Sequence, residues 1–290
     1  MSGHAAPAAF LPDPPGTRLA PRVRRAHLIV TLFLLAAIPS VAQDTDVLMR
    51  AMHDEMERVP QLRIVSGGDP LYLLRYTLDD VDSFSASASL GGLLTQSGGH
   101  VRLLRVGIRV GDYVFDNANY VLSELPAGAR FDSGSLPVDD DYGAIRREIW
   151  LATDAAFKTA LEAIGHKRSA LQNVNVTEPL ADYTKAPPVH SIEPVTHIAF
   201  DKTEWSNRTV ALSAIFVDYP QVLGSGVETE FINTTSYLMD SEGTAIRRPD
   251  NLMIVRVRAW GQAPDGMLVR AAASTEEFEP LKMPSDLDLR

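Results

Sequence analysis

His53, followed by Asp54 and Glu55, is the first set of side chains in this sequence that could do chemistry, because imidazole and carboxylate together bind divalent metals. A helical zinc pair needs two imidazoles one turn apart, and position 57 is glutamate, so the run reads as the wet face of a helix. Asp139, Asp140 and Asp141 could hold calcium or magnesium, but the alternation and closing glutamate of a calcium loop are absent. Carboxylates in a row before an apolar-periodic stretch cap a helix instead. Gly224-Ser225-Gly226 comes nearest to the G-x-S-x-G elbow of a nucleophilic serine, yet it precedes a strand pattern rather than a helix. His190 and His197 lie seven apart with no carboxylate at a completing spacing, and H-E-x-x-H does not occur. The absence of cysteine excludes disulfides, thiolate nucleophiles, iron-sulfur clusters and cysteine-held zinc. No self-sufficient catalytic constellation is legible in the residues.

The elements that would position any site begin after an export signal. An apolar run from Leu28 to Ile38 follows Arg18, Arg22, Arg24 and Arg25 and ends in Ser40-Val41-Ala42, as a signal peptide cleaved after Ala42 does. The run is shorter than the ~20 residues of a membrane span. The reading is therefore periplasmic or secreted, with no stable span after cleavage. A net charge of -10 over 290 residues argues against a surface that neutralises nucleic-acid phosphates.

From residue 43 the pattern is α+β, with antiparallel sheets, a long packed helix, and two subdomains joined by a Pro-rich linker. Residues 43–173 form an amino-terminal α+β domain. In it, Val47, Leu48, Ala51, Met52, Met56 and Val59 mark one helix face, with His53, Asp54, Glu55 and Glu57 largely on the other. Alternation over Leu71 to Tyr120 then gives a meander punctuated by Gly67-Gly68, Gly91-Gly92, Gly98-Gly99 and Gly111-Asp112. Ile145, Ile149, Ala152, Ala156, Ala160 and Ile164 predict a long helix with a narrow packing stripe. The linker, 174–200, carries four prolines. Residues 201–280 supply a helix capped by Asp201 and Glu204, then strands with turns at Asp240-Ser241-Glu242-Gly243 and Pro264-Asp265-Gly266. Residues 281–290 read as the start of a truncated helix with Ser285 as its cap.

Three stretches taken in order resemble the TldD/PmbA family, labelled modulator of DNA gyrase, in its exported branch. They are Leu104-Arg-Val-Gly-Ile-Arg-Val-Gly-Asp-Tyr-Val-Phe-Asp-Asn-Ala-Asn119; Leu136-Pro-Val-Asp-Asp-Asp-Tyr142 with Ile149-Trp-Leu-Ala-Thr-Asp154; and Ser241-Glu-Gly-Thr244 followed by Arg256-Val-Arg-Ala259. The resemblance spans residues 44 to 290 and only the family's amino-terminal half. It implies a part of an exported zinc metallopeptidase that supplies dimerisation and peptide-chamber surface. The family's H-E-x-x-x-H and later cysteine ligand have no counterpart here, so zinc is expected only in a second half or a partner, and this chain alone is expected to be inactive. The implied partners are unfolded peptide or protein substrate and a TldD/PmbA-type subunit in a homo- or hetero-oligomer, with no nucleic acid. Ser241, Glu242 and Gly243 are the candidate substrate or subunit contact on resemblance; a tight turn needing Gly243 is the alternative. The competing function is a stand-alone, non-enzymatic module that captures extended peptides at sheet edges.

Overall fold

The computed structural model describes residues 46–58, 60, 68–119, 129–172, 180–196, 198, 200–285, 288 and 289. The expected leader, Val59, Gly67, residues 174–179 of the linker, His197, Asp286 and Leu287 lie outside the described residues. The fold is α+β. In chain order it comprises α1 (Val47–Met56), β1 (Leu71–Ser89), β2 (Gly92–Val110), β3 (Ala129–Leu136), α2 (Tyr142–Leu171), β4 (His190–Ile192), α3 (Lys202–Ser213), β5 (Val222–Asp240), β6 (Ala245–Gln262) and β7 (Leu268–Glu277). Among the described residues no helix is long and apolar enough to cross a membrane.

All seven strands belong to one sheet in the order β3-β2-β1-β5-β6-β4, with β7 also on β6. The linker therefore does not separate two sheets, as the sequence pattern suggested. Strands β1 and β5, from opposite sides of it, pair antiparallel from Arg75↔Asp240 to Ala88↔Val227. Only β4, drawn from the linker itself, is parallel to its neighbour, over three residues. Among the described residues β6 has no outer neighbour between the β4 and β7 pairings, and Pro249 sits in that gap, where a residue without N–H breaks no ladder.

The helices pack over the sheet as two hydrophobic cores. Leu74, Tyr76 and Leu78 of β1, with Leu104, Val106 and Ile108 of β2, meet the α2 stripe Ile145, Ile149, Ala152, Ala156, Ala160 and Ile164, all buried. Further along the same strands, Phe84 and Ala86 of β1 join Val227, Phe231, Met253 and Val255 under Trp205 and Leu212 of α3. Side chains two apart share a face, so these even-numbered β1 residues place both cores on one side of the sheet. The opposite side is wet. There Ser85 meets Ser97 at 2.8 Å, Ser87 meets Thr95 at 2.7 Å, and Asp79 accepts from Arg105 at 3.1 Å and Ser236 at 2.7 Å.

Local chemistry explains the helix limits. The Asp46 carboxylate accepts from Leu48 and Met49 N–H at 2.9 and 3.1 Å, Asp141 caps α2 through Ala144 N, and Asp201 caps α3 through Thr203 and Glu204 N. Two sequence expectations change. Glu55, assigned to the wet face of α1, is fully buried, because it extends the Leu48, Ala51, Met52 stripe by one turn and its carboxylate is met by Arg146 at 2.6 Å and Arg58 at 2.7 Å. Gly98-Gly99, read as a turn, lies inside β2. A Cβ at Gly98 would come within 2.5 Å of Ser83 O, so the glycine serves close strand approach and the chain turns at Leu90-Gly91.

A buried hydroxyl pair ties α2 to the sheet and yields a direct test. Thr153 Oγ1 donates to Ile149 O at 2.7 Å, which leaves it to accept from Tyr76 O–H at 2.8 Å. Tyr76→Phe is expected to cost about 1 kcal/mol, whereas Thr153→Val, which strands the Tyr76 hydroxyl without an acceptor, costs about 1–3 kcal/mol. Chemical denaturation of the two variants checks the order.

Candidate functional site

The alternation that builds both cores is broken between them. On β1 the core-facing series runs Leu74, Tyr76, Leu78, then Asp80 and Asp82, then Phe84 and Ala86; on β2, His100 and Arg102 precede Leu104. Register sets Asp80 opposite Arg102 and Asp82 opposite His100. A polar band thus crosses the sheet between α2 and α3. It opens as a cleft of about 720 Å³ lined also by Asp46, Asp139, Asp140, Tyr237 and Arg247.

Each group in the band is held by specific partners. His100 Nε2 is hydrogen-bonded to Asp80 Oδ1, and Arg102 Nε reaches the same oxygen at 3.2 Å. Arg102, only 5% exposed, also donates to Pro137 O at 3.0 Å, Asp139 O at 3.2 Å and Asp140 Oδ1 at 2.7 Å. Burial lowers its pKa, but Asp140 and Asp80 outweigh that and hold it above the ordinary arginine value. Across the cleft, Arg247 donates to Asp46 Oδ2 at 2.9 Å and to Glu193 O at 2.7 Å. Tyr237 is pushed well above the ordinary phenol value by burial, then by the Asp46 carboxylate to which it is hydrogen-bonded. Asp82, by contrast, is exposed to the cleft.

Five aspartates line this cleft against two arginines, so it favours a cationic guest group such as a peptide amine, lysine or arginine. His100 Nε2 is engaged by Asp80, the Arg102 guanidinium shares that carboxylate, and no group of three His, Cys, Asp or Glu side chains placed to hold a metal ion gathers among the described residues. His53 stands on a solvated face, 3.8 Å from Glu57.

The loop singled out from the sequence lies on the β5–β6 turn. Ser241 N donates to Leu74 O at 2.9 Å and Ser241 Oγ accepts from Leu74 N at 3.0 Å, so the residue extends the β1–β5 ladder. Glu242 accepts from the Tyr113 hydroxyl and lies 3.9 Å from Lys185 Nζ, and its carboxylate pushes the Tyr113 phenol up to about 12. Gly243 has φ +102°. Around it, Tyr113 stacks on Tyr183, Arg109 lies 4.1 Å over the Tyr183 ring, and Arg75 donates to Tyr183 Oη at 3.2 Å. This cluster binds the linker to the sheet. The loop and the cleft are separate places, and sequence reading did not select the cleft. The signal available was the pair of aspartates interrupting an apolar alternation.

Two phenols make the packing pH-sensitive. Burial raises Tyr76 and Tyr237 above their ordinary value of 10. A raised folded-state value means the proton is held more tightly in the fold, so the stability is fully present below about pH 10 and is lost as pH climbs through the folded values. Alkaline titration is expected to show their tyrosinate absorbance arriving together with loss of the far-ultraviolet circular dichroism, not ahead of it.

No family model and no curated protein matches this sequence. Among solved structures, a candidate modulator of a DNA gyrase from Thermotoga maritima superposes with a TM-score of 0.52 at 7% identity, over 83% of this chain and 45% of that one. A candidate modulator of DNA gyrase from Bacteroides thetaiotaomicron gives 0.48 at 10% identity, over 82% and 46% of the two chains; TldE from Thermococcus kodakarensis gives 0.45 at 9%, over 79% and 43%. This chain spans less than half the length of each. At such identity the likeness is one of fold, and the chain shares its α+β fold with the Thermotoga maritima gyrase-modulator structure.

Proposed function

We propose that this chain is the amino-terminal portion of an exported TldD/PmbA-like peptidase assembly, that it carries no metal site itself, and that it contributes assembly and chamber surface while zinc is held by another polypeptide. The observation that supports this most is the fold shared with the Thermotoga maritima structure over 83% of the chain, in a protein more than twice as long as the matched part. The ordered family-like segments point the same way, since they fall on β2, the α2 start and the β5–β6 turn. Within that reading the acidic cleft is the surface offered to an unfolded peptide. Its Asp82 is exposed to meet a cationic side chain, while Asp46 and Asp80 are held by arginines. The bound segment would be held, not cut, by these residues.

Native mass spectrometry with zinc quantified tests the proposal on the exported chain, alone and with the polypeptide encoded immediately downstream. A zinc-bearing hetero-oligomer with peptidase activity is expected. Zinc-independent peptidase activity of the chain alone, or failure of the two polypeptides to associate, overturns it.

A further inference from the structure

β7 is the last strand on its side of β6, and every residue from Leu268 to Ser274 is exposed. This ten-residue edge, with Leu268 and Val269 each about half exposed and Ala271-Ala272-Ala273 at its centre, has no proline, no bulge and no covering loop on the described chain, and its charges, Arg270, Glu276 and Glu277, stand to either side of that apolar centre. The hydrogen-bond phase of this edge follows from its hairpin. Ala263 N donates to Met267 O at 2.8 Å, so the bonded pairs of β6 and β7 alternate from there, and Leu268, Arg270, Ala272, Ser274 and Glu276 turn their N–H and C=O groups away from β6.

We propose that this edge pairs with the β7 of a second copy of the chain, antiparallel about a two-fold axis at Ala273. An outer strand can bond only where outward groups face outward groups, so even-numbered residues must oppose even-numbered ones. Of the two-fold registers this allows, the one centred on Ala273 sets Arg270 against Glu276 of the other copy, twice by symmetry. It also sets Ala272 against Ser274 and brings Leu268 beside Phe278, which is 71% exposed just past the strand. Centring on Ala272 or Ala271 instead leaves Arg270 facing Ser274 or Ala272, with no ion pair. The charge layout of the hairpin agrees. Arg256, Arg258 and Arg270 share one face, and Arg258 and Arg270 crowd the turn end, whereas Glu276, Glu277 and Glu279 crowd the other end of β7; an antiparallel neighbour overlays opposite signs. The result is one sheet continuous through both copies. This inference does not rest on the peptidase reading: it concerns a homodimer edge, and zinc content or cleavage does not enter its test.

Sedimentation of the full chain and of charge-swapped variants decides it. The unmodified chain is expected to be dimeric. Arg270→Glu and Glu276→Arg, each of which sets like charges opposite one another twice, are expected to weaken the dimer about tenfold or more, and the double variant, which restores both pairs in reverse, to recover it. Ala272→Pro, which deletes an outward N–H and spares the β6 ladder, is expected to give a folded monomer by circular dichroism. A monomeric unmodified chain, a dimer indifferent to Ala272→Pro, or single and double charge variants that weaken association equally would each overturn the proposal. So would a monomer that captures an extended peptide along β7, which would give the edge to peptide binding.

Discussion

Asp46→Ala is expected to be among the most damaging single substitutions in the molecule, lowering the unfolding free energy by about 3–5 kcal/mol. One carboxylate does three jobs. Its Oδ1 caps α1 through Leu48 and Met49 N–H, its Oδ2 accepts from Arg247, and it takes the hydrogen bond of the buried Tyr237 phenol. Alanine removes the cap, worth about 0.5–2 kcal/mol, and takes the Asp46 carboxylate away from the guanidinium of Arg247, which is 7% exposed. Asp46→Asn keeps an oxygen for the cap but not the charge, so it should fall between the two. A denaturant series on both variants separates cap from ion pair; a cost below about 1 kcal/mol for alanine would show that solvent replaces the carboxylate freely.

Arg102→Met is expected to cost about 3 kcal/mol or more, for a different reason. The guanidinium joins β2 to the segment that starts α2, by two carbonyls, Pro137 O and Asp139 O, and by Asp140, while sharing Asp80 with His100. Methionine fills similar volume but leaves those carbonyls and the Asp80 oxygen short of donors. Arg102→Lys keeps the charge yet cannot reproduce a planar fork that reaches four acceptors, so it should recover only part of the loss. Hydrogen exchange localises the effect: faster exchange is expected in the first turn of α2 and at Asp80, with the α3 core little changed.

What could be read in advance follows the range of the forces involved. The α2 stripe was legible because Ile145 to Ile164 repeats one face over several turns, and the Pro264-Asp265-Gly266 hairpin because a turn is a local object; Gly266 has the positive φ, +87°, that such turns require. The joining of β1 to β5 was not legible. Nothing in a strand's own residues says which distant strand completes it, and a proline-rich crossing between them reads as a boundary. Glu55 misled for a related reason: a carboxylate looks solvated until Arg146, 91 residues later, is known to cover it. The cleft was half legible. Asp80 and Asp82 interrupt a visible alternation, but Asp46 and Arg247 are 201 residues apart and meet only through the sheet. The loop at Ser241, Glu242 and Gly243 stands out by resemblance alone, and within this chain it touches Leu74 and Tyr113.

The pairing of β1 with β5 makes the crossing between them dispensable to the fold's internal connectivity. Each strand is 19 residues long, on the order of 60 Å, and fourteen successive residues of β1, Arg75 to Ala88, are in register with β5. The core under α3 takes Phe84 and Ala86 from before the crossing and the rest of its side chains from after it, so the later residues cannot close it alone, and the core under α2 is completed by Tyr237 from β5. A protease cut in the exposed stretch Lys185 to Val189 would leave two polypeptides held by an unbroken ladder and two shared interiors. Such pieces, made separately, would be complementing fragments, each templating the other's edge.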